Sequence, residues 1–398
     1  MPAPPSEESP DVVPALPSDE SPGDAEAPVS GRSPAAAIGR ALRTVAARAV
    51  SVVWSASAKV HRAVATRSRA VRGRPACAVV SVGGPTVGGA GKTPAAAAVA
   101  RGLHARGLRV VLASRGYGGK TRDPVTVVSD GRHVRAQAAR TGDESLVLAA
   151  HAPGVPVLVG RDRVVVGHRA VSGFDAEVLV LDDGFQHHGL ARDFDLVCID
   201  GVAGLGNGWV VPAGPLREPR SALRAADALL FVDGAPGATG SDPKGVPGLA
   251  GVTTEDIPVF RGSRTPRALV PLGGGEPLPP ASLEGQEVGL LAGIARPASL
   301  RRSVEALGAK VVAERFFPDH YAYAERDFAG RRGQAALSPD IHWVTTEKDA
   351  YKIVARWLEG VRVSVLRMEL EIETPDALTD RILEAIGERV DRRRSDPT

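Results

Sequence analysis

Residues 81–94, "SVGGPTVGGAGKTP", carry five glycines followed by a lysine and a threonine. The run "AVVSV" leading into them predicts a buried strand, and "TPAAAAVARGLHARG" at their end predicts a helix. A glycine-rich turn between a strand and a helix presents backbone N–H groups where phosphate binds. The stretch therefore predicts a phosphate-binding loop, in which Lys92 reaches the outer phosphates and Thr93 offers a hydroxyl to Mg²⁺.

The loop departs from the G-x-x-x-x-G-K-[ST] pattern at its first position, which is Thr86. Gly88 and Gly89 supply backbone freedom inside the loop, so the departure does not prevent phosphate binding. A glycine-rich turn that binds no nucleotide is the alternative. The predicted nucleotide-binding residues are Thr86, Val87, Gly88, Gly89, Ala90, Gly91, Lys92 and Thr93.

Three further segments carry groups suited to phosphoryl transfer. In "VLVLDDGFQHH" a buried strand ends in Asp182 and Asp183, where a carboxylate next to the loop can hold Mg²⁺ directly or through water. Asp143 in "TGDESL" and His320 in "FFPDHYAY" are candidates for removing a proton from the acceptor. The alternatives are that Asp143 caps a helix and that His320 is structural.

The whole chain alternates strand and helix patterns, which predicts an α/β fold with a P-loop NTPase-type parallel sheet. Glycine and proline become frequent between residues 234 and 280, where we place a boundary before a second, smaller α/β domain. We assign residues 75–233 to the P-loop domain, 234–262 to an extended connection, 263–390 to the second domain and 391–398 to a disordered tail.

The N-terminal part has two segments of opposite character. Residues 1–33 are acidic and rich in proline and serine, so we expect a disordered tail. Residues 34–74 are basic, and residues 34–62 have the period of an amphipathic helix. Its uncharged run from Ala49 to Ala58 is about half of what a spanning helix needs, which favours a helix lying on an anionic membrane surface. The alternative is a helix that packs its Ala/Val face on the core.

Three other features bear on the compartment of the protein and on whether it binds nucleic acid. Cys77 and Cys198 lie in strand-like runs, which indicates core positions and a reducing compartment. The acidic start has no apolar core of a signal peptide, so we expect no export. Trp54 is the only aromatic residue between 32 and 74, which argues against nucleic-acid binding there.

Eight motifs occur in one order between residues 82 and 352: "VGGPTVGGAGKTP", "SRGYGG", "GDES", "DDGFQHHGLARDFD", "GNGWVVPAGPLREP", "AGIARP", "FPDHYAY" and "TTEKDAYK". Together they resemble the motifs of the tetraacyldisaccharide 4'-kinases, which phosphorylate the lipid A precursor of Gram-negative bacteria. The resemblance implies that residues 86–93 bind ATP, with Thr86 as the residue usual for the family. One departure is Gly84, where the family usually has Asn.

The resemblance also implies roles for the other candidates. Asp143 would be the catalytic base, supported by His320 from the second domain, while Thr93 and either Asp182 or Asp183 would hold Mg²⁺. The residues implied to line the cleft for a lipid disaccharide are Arg163, Gln186, His187 and Glu218. The basic helix would dock the protein on the cytoplasmic face of the inner membrane, and no protein partner is implied.

Two other functions are alternatives to that of a kinase. A P-loop GTPase or metallochaperone-type switch should carry an [NT]-K-x-D motif, whereas "TTEKDA" places Lys348 directly beside Asp349. A membrane-bound scaffold without catalysis would have no need of the intact lysine, threonine, aspartates and histidine described above.

Overall fold

The structure, a computed structural model, describes residues 34–67, 73–233, 246–249, 251, 256–328 and 336–395. The predicted acidic tail and most of the predicted connection at 234–262 lie outside the described residues. The chain divides into residues 1–45 and one compact unit of residues 46–398. The first helix, α1, runs from Pro34 to Arg67.

Strands and helices alternate along the first part of the compact unit, as the sequence pattern predicts. They are β1 (Ala78–Gly83), α2 (Lys92–Ala105), β2 (Val110–Ser114), β3 (Thr126–Asp130), α3 (Ala138–Thr141), α4 (Asp143–His151), β4 (Pro156–Val159), α5 (Arg163–Phe174), β5 (Val178–Asp182), β6 (Phe194–Asp200), β7 (Ala228–Val232) and β8 (Val259–Pro271). Every residue of β1, β2, β5, β6 and β7 is buried, as expected for strands covered on both faces.

The second series follows the same alternation. Its elements are β9 (Glu287–Ala292), α6 (Pro297–Ala306), β10 (Lys310–Phe316), β11 (His342–Thr346), α7 (Glu347–Ala350), β12 (Val363–Ile372) and α8 (Pro375–Ser395). Short 3-10 helices lie at Arg220–Ala225, Pro280–Leu283, Glu325–Asp327 and Ala355–Leu358. The outermost strand β10 alternates exposed and half-buried residues, which is typical of a sheet edge.

All twelve strands belong to one sheet in the order β10-β9-β11-β12-β8-β7-β6-β1-β5-β2-β4-β3. The pairing is parallel except between β3 and β4 and between β8 and β12, among the residues that the structure describes. The extended segment predicted around "PVFRGSR" is therefore β8, which pairs with β7 on one side and β12 on the other. The division into two domains stays a prediction, since strands from both sides of the boundary are hydrogen bonded through β8.

The C-terminal helix α8 packs back onto the first series. Its residues Leu378, Ile382, Ile386 and Val390 are buried in the same cluster as the apolar side chains of β1 and α2. Burial of such a side chain contributes roughly 1.5–3 kcal/mol, so this helix ties the end of the chain to the first series.

Two local predictions differ from the structure. We expected a tail without structure from residue 391, but α8 continues to Ser395 because Arg393 and Arg394 pair with Asp175 and Glu177 at 2.6 and 2.5 Å. The sequence pattern of residues 349–360, "DAYKIVARWLEG", predicts one helix, but the structure has two short pieces there, α7 and the 3-10 helix at Ala355–Leu358. The pattern of residues 325–337 also predicts a helix; its described residues are 325–328, which begin with the 3-10 turn at Glu325–Asp327, and 336–337, which are not helical.

Candidate active site

The glycine-rich loop connects β1 to α2 and has the backbone conformation that its glycines allow. Gly88 and Gly91 have φ values of 90° and 75°, in the region that side chains disfavour. Lys92 is the first residue of α2, and its Nζ lies 3.4 Å from the carbonyl oxygen of Gly88. The lysine therefore folds back over the loop, where a phosphate chain would lie.

Thr86 is buried because the loop pairs with the segment 215–217. The N–H of Val87 donates to the carbonyl of Pro215 at 2.8 Å, and the N–H of Arg217 donates to the carbonyl of Pro85 at 2.7 Å. The left-handed conformation falls on Gly88 and Gly91, so the first position has no need of glycine. Thr86 instead joins the loop to a neighbouring segment.

Two carboxylates stand beside the loop at the end of β5. The hydroxyl of Thr93 donates to Asp182 Oδ2 at 3.1 Å, and Asp183 Oδ1 lies 3.8 Å from Lys92 Nζ. Burial, with the nearby charges of Glu144 and Asp183, raises the pKa of Asp182 to about 7.

These carboxylates fit a divalent cation. Within the described part of the chain, the buried Oδ1 atoms of Asp182 and Asp183 accept no hydrogen bond, and an orphaned carboxylate oxygen is what a cation would satisfy. No cluster of three His, Cys, Asp or Glu side chains suited to a metal occurs among the described residues. A magnesium ion held by one hydroxyl, one carboxylate and phosphate oxygens needs no such cluster.

Asp143 and His320 come together although they are far apart in sequence. Asp143 is the first residue of α4 and is buried, and its Oδ1 lies 3.5 Å from His320 Nδ1. His320 has a φ of 56°, its N–H donates to the carbonyl of Gly293, and its ring lies 4.9 Å from that of Tyr117. The prediction that the two residues meet in the fold is consistent with this geometry.

The surroundings of the pair favour the ionised form of the Asp143 carboxyl group. Burial opposes ionisation of Asp143, but the hydrogen bond from His320 and the charges of Lys352 and Lys348 outweigh it and lower the pKa of Asp143. The same hydrogen bond raises the pKa of His320. With a side chain 23% exposed against 4% for Asp143, His320 is the more accessible partner.

Other contacts join the two series around the cleft. Arg296, directly before α6, lies 2.5 Å from Asp200 at the end of β6. Lys348 Nζ is 2.6 Å from Glu144, and Glu347 accepts a hydrogen bond from the buried His151 at 2.8 Å. The motifs "AGIARP" and "TTEKDAYK" thus contact the first series directly.

The four predicted substrate residues occupy different environments. Gln186 donates to the carbonyl of Gly84 at 3.0 Å, behind the glycine-rich loop. Arg163 is buried at the start of α5 and donates to the carbonyl of Gly160, and burial lowers its pKa to about 10. Burial and the nearby Arg163 lower the pKa of His187 to about 4, so this imidazole is neutral.

Both carboxylate oxygens of Glu218 have partners within the protein. It is buried, its Oε1 lies 2.9 Å from His188 Nε2, and its Oε2 lies 2.6 Å from Arg62 Nη2. These contacts lower the pKa of Glu218 although burial opposes the effect. The geometry gives Glu218 a part in holding α1, and its predicted contact with substrate stays a prediction.

Sequence reasoning missed two residues of the site. Arg217 Nη1 lies 2.5 Å from Asp183 Oδ2 and 3.3 Å from Gln186 Oε1, which places a second cation beside the loop lysine. Lys352 Nζ lies 3.4 Å from Asp143 Oδ2. Both residues stand inside the quoted motifs, and that position was the signal available in the sequence.

The part of α1 that belongs to the compact unit, residues 46–67, contacts the rest of that unit through polar groups. Ser51 is fully buried, donating to the carbonyl of Val210 and accepting from the N–H of Ala213. On the outer side, Val52, Val53 and Val60 are 58%, 67% and 62% exposed. The alternative in which the Ala/Val face packs on the core is wrong for these residues. No helix in the described residues is long and apolar enough to cross a membrane.

Known proteins are similar to this chain in sequence and in fold. Residues 44–387 match the family model described as "Tetraacyldisaccharide-1-P 4'-kinase". The chain belongs to this family. The chain is 38% identical over 315 residues to the tetraacyldisaccharide 4'-kinase of Syntrophus aciditrophicus, covering 77% of this chain and 84% of the relative. It is 43% identical over 307 residues to that of Anaeromyxobacter dehalogenans strain 2CP-1, covering 75% and 79%.

A solved structure is also similar. It is described as the "apo" form of LpxK from Aquifex aeolicus in complex with ATP, and it matches with a TM-score of 0.66 and 26% identity over 84% of this chain and 97% of that one. The predicted P-loop NTPase-type α/β fold and the resemblance to the family are therefore confirmed. The switch-protein alternative is not supported, because the family is one of kinases.

Proposed function

We propose that this protein transfers the γ-phosphoryl group of ATP to the 4'-hydroxyl of a tetraacyldisaccharide 1-phosphate. The observation that carries the proposal is that the loop lysine with its paired carboxylates and the Asp143–His320 pair lie near each other in a chain of the tetraacyldisaccharide 4'-kinase family: the charges of both Asp143 and Asp182 act on Lys348. Phosphoryl transfer needs chiefly positioning, charge neutralisation and a proton acceptor, and these groups supply all three.

The chain's own residues can hold ATP and Mg²⁺. The glycine-rich turn and the start of α2 would present backbone N–H groups to the phosphates, Lys92 would neutralise the γ-phosphoryl group, and Arg217 adds a second positive charge. Thr93 and Asp182, which are hydrogen bonded to each other, are the proposed metal ligands, and Asp183 orients Arg217. The metal, when bound, would neutralise charge that develops on the phosphate oxygens.

We assign the proton-accepting atom to His320. An efficient general base has a pKa near the working pH, and the pKa of Asp143 is lowered while that of His320 is raised. Because Nδ1 faces the buried carboxylate, the proposed proton acceptor is Nε2, which lies 3.8 Å from Oδ2 of the 45% exposed Asp319. Asp143 then orients the imidazole and stabilises its charged form, which reverses the roles expected from the sequence.

The exposed side of α1 suits a membrane surface. Three valines and the half-exposed Trp54 form an apolar strip on a helix whose polar side bonds to the protein. Such a strip on a basic helix binds at an anionic interface, so we place the protein on the cytoplasmic face of the inner membrane. Val53→Asp should lower co-sedimentation with anionic vesicles, and unchanged binding would refute this placement.

Transfer of label from [γ-³²P]ATP to a tetraacyldisaccharide 1-phosphate tests the reaction. No labelled lipid with the purified wild-type chain would refute the proposed function. Asp143→Asn and His320→Gln should each lower kcat by about 10²–10⁴-fold with little change in ATP affinity measured by calorimetry. Asp376→Asn is the matched control, because Asp376 is 87% exposed on α8.

The pH profile separates the two possible proton acceptors. If His320 accepts the proton, His320→Gln abolishes the acidic limb of the kcat profile, and Asp143→Asn moves that limb to lower pH because the raised pKa of His320 is lost. If Asp143 accepts it instead, the acidic limb persists in His320→Gln.

A further inference from the structure

Lys352 lies beside Asp143, and none of the catalytic roles assigned above accounts for it. It lies in the turn after α7, its side chain is only 13% exposed, and its Nζ lies 5.6 Å from the ring centre of Tyr323. The ammonium lies between two carboxylates, 3.4 Å from Asp143 Oδ2 and 3.1 Å from Asp349 Oδ1. It thus joins the proton-accepting pair to the second series of elements.

Asp349 is a fixed anchor for this ammonium. It is fully buried, and it accepts hydrogen bonds from the N–H of Gly293 at 3.1 Å, the hydroxyl of Tyr323 at 3.1 Å and the hydroxyl of Thr346 at 2.7 Å. A carboxylate held by three donors has one orientation. Lys352, paired with it, is held in place as well.

The two carboxylate oxygens of Asp143 face different side chains. Its Oδ1 lies 3.5 Å from His320 Nδ1 and accepts the N–H of Glu144 at 2.9 Å, whereas its Oδ2 lies 3.4 Å from Lys352 Nζ. In the described part of the chain neither Asp143 Oδ2 nor Lys352 Nζ makes a hydrogen bond of good geometry. Their link is therefore ionic, and without it a buried carboxylate oxygen would lose its nearest positive charge.

We propose that Lys352 is a positioning residue for proton removal: it holds the Asp143 carboxylate ionised and turned so that Oδ1 faces His320. The inference rests on the proposed function of the Asp143–His320 pair. The other charged groups that face the pair are Lys348 near Asp143, and Asp319 and Glu144 near His320. Lys352 differs from all of them, because it faces the carboxylate oxygen that His320 does not use.

Lys352→Met in the full chain tests the proposal, with Lys310→Met as the matched control. Lys310 is a 73% exposed lysine that pairs with Glu287. It lies on β10, at the opposite edge of the sheet from β3 and β4, the strands that precede and follow α4 and its Asp143 in the chain. We expect Lys352→Met to lower kcat by roughly 10–100-fold through misplacement of the pair, with KM for both substrates within about twofold. The acidic limb of its kcat profile should move to higher pH by roughly 0.5–1 unit, because a positive charge that disfavours protonation of the pair is gone.

Lys352→Arg is the second variant, and it keeps the proposal testable if the methionine variant does not fold. Arginine retains the positive charge, so the limb should stay at the wild-type position, and a displaced limb would overturn the proposal. In Lys352→Met, a loss of kcat with an unmoved limb would mean a merely structural lysine. A raised KM for the lipid with unchanged kcat would mean a substrate-binding lysine, and either result overturns the proposal.

A readout without turnover separates this inference from the proposed function. The NMR titration of the His320 ring, assigned through its loss in His320→Gln, should shift to higher pH in Lys352→Met and not in Lys310→Met. If the wild-type chain transferred no phosphate, the function would be refuted and the titration would still test Lys352. If transfer occurred and the His320 titration were unchanged in Lys352→Met, only the proposed role of Lys352 would be refuted.

Discussion

The ion pair between Arg62 and Glu218 should be the main attachment of residues 46–67 of α1 to the rest of the compact unit. Both side chains are shielded, at 15% and 7% exposure, and the guanidinium also lies 4.7 Å from the ring centre of Phe185. Arg62→Met removes the positive charge and leaves Glu218 with His188 as its remaining partner. Because removal of one partner leaves a charge buried without compensation, the variant should lose stability.

The size of this loss follows from the geometry. Breaking a fully buried pair costs about 3–5 kcal/mol, and the partial exposure of Arg62 reduces this to about 2–3 kcal/mol. Loss of the cation–π contact adds about 0.5–1 kcal/mol. At about 2.1 cal/mol/K of unfolding entropy per residue, a total near 3 kcal/mol corresponds to a fall in Tm of roughly 3–4 °C for a chain of 398 residues.

Differential scanning fluorimetry at pH 7 measures the effect, with Lys59→Met on the same helix as control. Lys59 is exposed, so its replacement should change stability by less than about 0.5 kcal/mol. Adding Glu218→Gln to Arg62→Met should recover part of the loss, because a neutral amide leaves no buried charge. Equal shifts for Arg62→Met and Lys59→Met, or a double variant less stable than Arg62→Met, would refute the reasoning.

The same pair predicts a pH dependence. The pKa of Glu218 is lowered in the folded state, so its stabilising contribution is complete above the unfolded pKa of glutamate, near 4.3. The contribution is lost as the pH falls through the folded pKa. The difference in Tm between wild type and Arg62→Met should therefore be constant from pH 7 to pH 5.5 and shrink below pH 4.5.

Three further predictions concern the loop, the metal site and the thiols. Gly91→Ala should raise KM for ATP at least tenfold, because φ is 75° and a Cβ would lie 2.8 Å from Val232; an unchanged KM would contradict this loop geometry. Below pH 7 the apparent affinity for Mg²⁺ should fall about tenfold per pH unit, since Asp182 has a raised pKa of about 7 and must lose a proton to bind the metal; metal titrations at pH 6 and 7 measure it. Cys77 and Cys198 are fully buried with pKa values raised to about 12, so neither should react with iodoacetamide until the chain unfolds.

The sequence predicted the elements that have strong local signals. The buried strands and the glycine-rich loop were located within a few residues, since runs of Val and Leu and a glycine-rich turn have few alternative structures. Thr86 was the apparent defect in the loop pattern. Its role depends on Pro215 and Arg217, more than a hundred residues away, and no local pattern contains that contact.

The errors came from long-range contacts. The last turn of α8 forms because Arg393 and Arg394 find Asp175 and Glu177 across the fold, which local composition cannot indicate. Glu218 was predicted from its motif to line the substrate cleft; the structure shows it bound to Arg62 and His188, and its contact with substrate stays a prediction. A charged residue in a motif can serve the scaffold as readily as the ligand.

The reversal of direction between β8 and β12 determines how the cleft is built. By itself, this antiparallel step would point the carboxyl ends of β9 and β11 away from those of β1 and β6. Five strand-to-strand steps separate β11 from β1, and at roughly 20–25° of twist per step they add up to more than a right angle. The accumulated rotation brings Arg296 and Lys352 back to Asp200 and Asp143.

The twist of the sheet therefore contributes to where the two walls of the cleft lie. The β8–β12 ladder has an irregularity between Arg367 and Met368, and bulges of this kind increase local twist. A substitution there touches no ligand, yet it would rotate one wall of the cleft against the other. Distance from the phosphates is thus a poor guide to which residues of this protein control its chemistry.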